Sequence, residues 1–269
     1  DKNWQTQTLG RLRTMDGINF SAQVLGEYTY LAADELHPDH DPDVDLPRFD
    51  ARHEATNIVD PGAVQATSIT AVALEVNGHL IEHYERPERM ILVDGVQQVL
   101  GEEPFAIELE GGVEVWGRLT ADSGSGGLVY LHVESDEVKL RSHGRSAAYG
   151  SYIDAFVEVD PDLPLRGLLG NFDRDSSNDL QTRDGDVIDR ALVRLHSFDL
   201  YRLTDSWRVT DQSDSLFRFG YDGFHDPNHE VDLDLLTPHR DHAATLLASG
   251  AALCDDTDVD ALVDSLAWE

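Results

Sequence analysis

Apolar residues recur at every second position over much of this chain. Ile18, Phe20, Val24, Tyr28 and Tyr30 keep even spacing, which predicts strands within 14–31. Val72, Leu74 and Val76 alternate as far as Asn77-Gly78, and Leu80, Ile81 and Tyr84 follow. Ile91, Leu92 and Val93 run into Asp94-Gly95 ahead of Val96, Val99 and Leu100. Phe105, Ile107 and Leu109 alternate up to Gly111-Gly112, then Val113, Val115 and Leu119 resume. Beyond a glycine-rich turn at Ser123–Gly127, Val129, Leu131 and Val133 form another run, and Ile153, Ala155, Val157 and Val159 one more. Asn-Gly, Asp-Gly and Gly-Gly supply the positive φ angles that tight hairpins require. Closely spaced strands joined this way predict a mainly β fold, an antiparallel β-sandwich of short hairpin-linked strands, with a barrel as the alternative closure.

The alternation breaks in three places. Residues 34–47 carry Pro38, Pro42 and Pro47 among acids and predict a solvated loop. His37, Asp39, His40, Asp41, Asp43 and Asp45 in it could bind a metal, although charge runs are more often solvated faces. Phe198, Leu200, Tyr201, Leu203 and Trp207 predict a further short strand. The tail changes period. Thr237-Pro238 is a helix start, with Ala243, Leu246, Leu247 and Ala251 at helical spacing. Thr257 opens a second helix carrying Val259, Leu262, Val263 and Leu266. The expected organisation is a β domain over 1–215 and a helical appendix over 216–269.

Composition narrows the function classes. The chain has 269 residues, 52 Asp+Glu against 20 Lys+Arg, and a formal net charge of −32. Such a field repels nucleic acid and anionic membranes. Lys2 and Lys139 are the sole lysines, and Asp outnumbers Glu, as in salt-adapted proteins. Self-repulsion of this size is screened at high ionic strength. Cys254 is the single cysteine, so no internal disulfide forms. The chain begins at Asp1 and carries no apolar run long enough to span a bilayer, which suggests a mature or excised piece with no membrane insertion.

The densest candidate chemistry lies in Gly167-Leu168-Leu169-Gly170-Asn171-Phe172-Asp173-Arg174-Asp175-Ser176-Ser177-Asn178-Asp179. Asn171, Asp173, Asp175, Asn178 and Asp179 put five short oxygen side chains into nine residues. Calcium needs several oxygen ligands at once, and such a loop can supply them. The same residues also dominate plain surface turns. It is not an EF-hand: counting from Asn171, Ser176 holds the position that needs Gly, and Thr182 the position of the bidentate Glu.

These segments together resemble the von Willebrand factor type D domain. Thr14-Met15-Asp16-Gly17, Phe20 and Gly26-Glu27-Tyr28-Thr29-Tyr30-Leu31-Ala32 are similar to the family's opening strands. Gly167-Leu168-Leu169-Gly170-Asn171-Phe172-Asp173 with Asn178-Asp179 resembles its Gly-Leu-Cys-Gly-Asn-Phe-Asp signature. Thr182-Arg183-Asp184-Gly185 and Asp205-Ser206-Trp207 follow in the family's order, so the resemblance spans roughly 10–215. It implies an extracellular, non-catalytic β-sandwich module with one Ca2+ ion. The implied ligands are Asn171, Asp173, Asn178 and Asp179, with Asp16 from the first strand. The Arg174 or Asp175 backbone carbonyl completes the shell, and the Asp175 side chain is a further candidate. Implied partners are other domains of a parent surface protein, extracellular proteins or glycans.

The chain also departs from the pattern. Leu169 replaces the usual Cys, and Gly26 sits in the region of another. Disulfide-linked multimers are therefore not expected. Thr8-Leu9-Gly10-Arg11 replaces the self-cleaving Gly-Asp-Pro-His of some members. Cys254 is expected to be an unpaired buried thiol.

Other chemistry is thinner. Ser123 and Ser125 lack a nucleophile elbow, and no His-Glu-x-x-His or phosphate-binding glycine loop occurs. His225 and His229 are separated by Pro227, and His239 and His242 flank Asp241, too few ligands for a typical zinc site. Trp116 and Trp207 fall in strand-like segments and are expected in the core. Two alternatives stay open. One is a ligand-binding module using the 34–47 loop or the hairpin tips. The other is a carboxylate-dependent hydrolase, which the abundance of acids neither supports nor excludes.

Overall fold

A computed structural model describes residues 11–22, 24–55, 67–121, 127–147, 150–171, 173–193 and 197–219. The expected antiparallel β-sandwich forms. Its large sheet contains β3 (Gly26–Ala33), β4 (Arg48–Ala55), β5 (Thr67–Val76), β6 (His79–Tyr84), β7 (Met90–Val93) and β8 (Val96–Gln97). β14 (Leu165–Gly167) and β15 (Gly170–Asn171) extend it beyond β3, and β16 (Arg208–Val209) also pairs with β3. The second sheet is a meander of β9 (Phe105–Glu108), β10 (Glu114–Thr120), β11 (Leu128–Glu134), β12 (Val138–Ala147) and β13 (Gly150–Val159). A separate hairpin joins β1 (Arg11–Arg13) to β2 (Asn19–Ser21). The predicted hairpin turns are present. Asn77-Gly78 has φ of 51° and 75°, and Asp94-Gly95 has 50° and 78°, the left-handed pairs that match strand twist.

The core lies between the sheets. Phe49, Ala51, Val72, Leu74 and Ile81 of one meet Val129, Leu131, Leu140, Ala155 and Val157 of the other, all buried in one cluster. Leu12, Ile18 and Phe20 tie the N-terminal hairpin into it. The outer face of the large sheet is covered as well. Phe217 packs there on Ala71, Ala73, Tyr84, Met90 and Leu92. Residues 215–219 therefore belong to the packed body of the β domain.

Three of the longer elements differ from the sequence expectation. Residues 198–207 are not a strand: α1 spans Phe198–Ser206, with the Ser197 hydroxyl accepting from the Leu200 N–H at 3.1 Å as N-cap. Leu200, Leu203 and Trp207 are its buried residues and its end, a spacing of three and four that fits helical rather than strand periodicity. β4 and β12 arise where no strand was predicted. β4 turns only Phe49, Ala51 and His53 inward, a weak apolar signal. β12 turns Ser142 and Gly144 inward. The Ser142 hydroxyl bonds His83 Nδ1 at 2.8 Å, and a side chain on Gly144 would collide with Glu85. The 34–47 loop is a series of turns without strand, as expected. The tail helices, Cys254, the histidines from His225 onward, Ser123, Ser125 and residues 8–10 lie outside the described residues.

Candidate metal centre

The Gly167–Asp179 segment is built around two close approaches. A Cβ on Gly167 would strike the Tyr30 carbonyl group, so only glycine lets β14 lie against β3 here. Gly170 sits at φ 81°, and a Cβ there would come within 2.5 Å of Asp179 Oδ1. Between them Leu168 and Leu169 are buried, and their N–H groups donate to the Thr29 and Tyr30 carbonyls at 3.2 Å. The Met15 N–H donates to the Leu169 carbonyl at 2.9 Å, which brings the Asp16 turn beside the acidic loop. Leu169, at the family's cysteine position, fills core space with a hydrocarbon side chain.

The predicted ligands converge. The side-chain amides of Asn171 and Asn178 both donate to Asp173 Oδ2, at 3.1 and 2.6 Å. The Asp175 N–H donates to Asp173 Oδ1 at 2.7 Å. Asp16 Oδ2 accepts from the Arg174 N–H at 2.9 Å, joining the first hairpin to the loop across 158 residues. Arg174 itself holds φ 70°, a left-handed kink at the loop's tightest point. The Asp175 side chain instead turns toward its own loop and accepts from the Ser177 N–H and hydroxyl at 3.0 and 2.6 Å.

Three buried oxygens at this point have no hydrogen-bond partner: Asn171 Oδ1, Asn178 Oδ1 and Asp179 Oδ1. Unpartnered buried acceptors are costly, and one carboxylate with two amides at one place is the donor set a hard cation takes. The two ends of an amide are nearly the same size, so half a turn aims the Asn171 and Asn178 oxygens at the centre that Asp173 already faces. Asp179 Oδ2 is anchored by the Thr14 hydroxyl at 2.5 Å, and Thr14 in turn accepts from the Ile18 N–H at 2.9 Å. Burial, with the Asp16 and Asp173 charges beside it, pushes the Asp179 carboxyl up to about 6. A bound cation would relieve that repulsion. The residues present therefore fit a calcium ion. Among the described residues no three His, Cys, Asp or Glu side chains gather as a metal group by themselves. This centre depends on its two asparagines, and the 34–47 acids form no such group.

Two other arrangements were not legible in the sequence. Ser142, His83 and Glu85 line up between the sheets, with His83 Nε2 3.6 Å from Glu85 Oε1. The order resembles a hydrolytic triad, yet the three are at most 4% exposed and packed between the sheets, out of reach of substrate. The second is a cleft of about 620 Å³ between the 34–47 loop and the β3–β16 edge. Its lining carries both charges, Arg48, Arg166, Arg183 and Arg208 with Glu35, Asp45, Glu75 and Asp214, beside Trp207. Trp207 is buried as expected, its indole N–H donating to the Gln181 carbonyl at 2.8 Å and Arg166 and Arg183 lying over its ring. Trp116 corrects the expectation of a core residue. It is 37% exposed, because Val113, Val115 and Leu119 take the inward phase of their strand.

An antiparallel sandwich whose acidic loop is strapped to its first hairpin defines a class of β module. The model of the von Willebrand factor type D domain matches residues 6–186, and the chain belongs to that family. No curated protein matches it. The family is one of non-catalytic domains that are typically extracellular. No described helix is long and apolar enough to cross a membrane.

Proposed function

We propose that this chain is a calcium-stabilised, non-catalytic structural or adhesive module of a secreted or cell-surface protein. The observation that carries the reading is that Asn171, Asn178 and Asp179 each hold a buried unpartnered oxygen while both asparagine amides are held against Asp173. Asp16 and the backbone carbonyl of Arg174 or Asp175 are the remaining proposed ligands. The ion supplies charge compensation. It ties the acidic loop to the first hairpin and offsets the mutual repulsion of Asp16, Asp173 and Asp179. With free calcium about 100-fold above its dissociation constant, binding adds roughly 2.7 kcal/mol. That is a large part of a typical net stability of about 5–15 kcal/mol. The formal charge of −32 supports a salt-adapted setting, in which solvent ions screen the rest of the surface.

Thermal unfolding with calcium, with magnesium and with chelator, at one high ionic strength, tests this. The expected result is a calcium-specific rise in Tm that Asp173→Ala removes, with a smaller loss in chelator from the three hydrogen bonds Asp173 accepts. Equal rises with magnesium, or equal losses by the variant in both media, would refute the ligand set.

The cleft beside the 34–47 loop favours a second reading, a ligand-binding module. Its volume is that of a small-molecule site, and no described carboxylate lies within 4 Å of the Arg183 guanidinium. Saturable binding of a small carboxylated sugar, weakened by Arg183→Ala, would support it.

A further inference from the structure

Strand register arranges the outer face of the five-stranded sheet in rows. One row reads Ala106, Trp116, His132, Arg141, Phe156. The next reads Arg118, Tyr130, His143, Asp154, and the one beyond it Leu128, Arg145, Tyr152. On the other side of the Trp116 row the acids collect: Glu108, Glu114, Glu134 and Glu158 around Lys139. The three inner rows hold three arginines, two histidines and one aspartate, in a chain whose formal charge is −32. They also hold four aromatic rings. The 34–47 loop, by contrast, is dominated by acids.

The side chains on this face support one another. Trp116 stacks on His132 at 5.3 Å with an interplanar angle of 18°. Its cross-strand neighbour on the opposite side is Ala106, a single methyl, so the indole is left 37% exposed. Arg118 lies over Tyr130 at 5.3 Å and has no carboxylate within 4 Å among the described residues. Tyr130 meets His143 edge-on at 4.9 Å, and His143 meets Phe156 at 5.6 Å. Arg141 and Arg145 reach Glu158 and Asp154 but keep 45% of their side chains in solvent. Same-face rows lie about 7 Å apart and strands about 4.8 Å, so the platform is roughly 14 Å on a side. Trp116 is the exposed ring of the platform, Tyr130 and Phe156 are half-buried and Tyr152 is buried, so Trp116 leads any contact and the other rings support the side chains around it.

We propose that this face binds an anionic polysaccharide, a polymer of uronate or sulfated sugars. The proposal rests on the extracellular-module reading and deepens it by naming the partner. The rings take the apolar faces of the sugars. The arginines take the carboxylate or sulfate groups, which guanidinium matches in two-pronged geometry. A ring paired with a cation, repeated from row to row, suits a ligand that repeats along its own length. The chain's overall negative charge opposes the approach only over distances that high salt screens. At about 1 M ionic strength the screening length is about 3 Å, and direct contacts persist.

The test is retention of the full chain, in calcium at high ionic strength, on immobilised polygalacturonate, dextran sulfate and plain dextran. Binding to either charged polymer and not to plain dextran is expected. Trp116→Ala and Arg118→Ala should each weaken it about tenfold, and Arg118→Glu with Arg141→Glu should abolish it. Both sites are exposed, and the variants' Tm checks that they fold. Retention unchanged in the variants, retention on plain dextran equal to the charged polymers, or no retention at all would overturn the proposal. So would salt-resistant self-association abolished by the same substitutions without polymer binding, which assigns the face to a second copy. The calcium melt is read on the same samples. A missing calcium shift with intact retention fails the metal reading alone, and an intact shift without retention fails this one alone.

Discussion

Two clusters of carboxylates sit on opposite kinds of ground in this molecule. On the outer face of the large sheet Glu27, Asp50 and Glu82 are almost fully buried. The chain supplies their counter-charges itself. Arg52 bonds Glu27 at 2.7 Å, with Ser215 on the other oxygen at 2.6 Å. Arg48 clamps Asp50 at 2.6 Å; Glu82 Oε1 accepts from the Tyr84 hydroxyl at 2.5 Å and the Arg218 backbone N–H at 2.9 Å, while its Oε2 has no hydrogen bond and faces the Arg218 guanidinium at 3.4 Å. In the loop around Asp173 no arginine among the described residues plays that part. Amides and N–H groups satisfy Asp173, while three neighbouring oxygens stay unpartnered. An acid sealed under another segment has to carry its cation with it, whereas a loop that buries Asp179 but leaves Asp173 exposed can take one from the medium. The first cluster should answer to mutation in every medium, and the second to the medium itself.

Arg52→Ala should give the largest effect. It leaves Glu27 buried and unpaired and removes the guanidinium that lies over Phe217 at 4.7 Å. Breaking such a pair costs about 3–5 kcal/mol. Urea titration should show the same loss in calcium and in chelator. A loss present only in calcium would erase the contrast between the clusters. Gly170→Ala should cost about 1–2 kcal/mol through its left-handed φ of 81°. It should also shrink the calcium-dependent rise in Tm, because the new Cβ displaces Asp179. A normal calcium rise in this variant would place Asp179 outside the ligand shell.

The smallest effect is on pH dependence. The Asp179 carboxyl is raised to about 6 in the fold, above an ordinary aspartate value of 3.8. The calcium-free fold therefore binds this proton more tightly than the unfolded chain does. Its contribution to stability in chelator falls as pH rises from about 4 to about 6, then levels off. Calcium needs the ionised form, so the Tm difference between calcium and chelator should widen over that window. A difference flat from pH 4 to 7 would show that Asp179 does not couple to the ion.

Alternation made the sandwich legible wherever the inward positions were hydrocarbons, as in Val129, Leu131 and Val133. It is too short at β12, where only Val138 and Leu140 alternate inward as hydrocarbons before Ser142 and Gly144, which answer to His83 and Glu85 on the facing sheet. It fails again at 198–207, where five apolar residues suggest a strand but the three-and-four spacing of Leu200, Leu203 and Trp207 forms a helix. The candidate metal residues could be named from one loop and a family resemblance, because short oxygen side chains crowd together locally. Their approach to Asp16 could not be read from the loop alone, since it passes through the Met15–Leu169 backbone bond between distant segments.

The sequence by itself determined the β class, the hairpin turns at Asn77-Gly78 and Asp94-Gly95, the acidic loop and the charge balance. These follow from neighbouring residues, through backbone sterics, periodicity and composition. Tertiary structure decided which outward-facing residues meet solvent. Arg52, Asp50 and Glu82 alternate as surface residues do, yet the 215–219 segment covers them. Trp116 looks like a core residue by type, and its strand phase sets it in an open row with His132 and Arg141. Burial depends on what packs over a face, and that partner is fixed by chain segments far away in sequence.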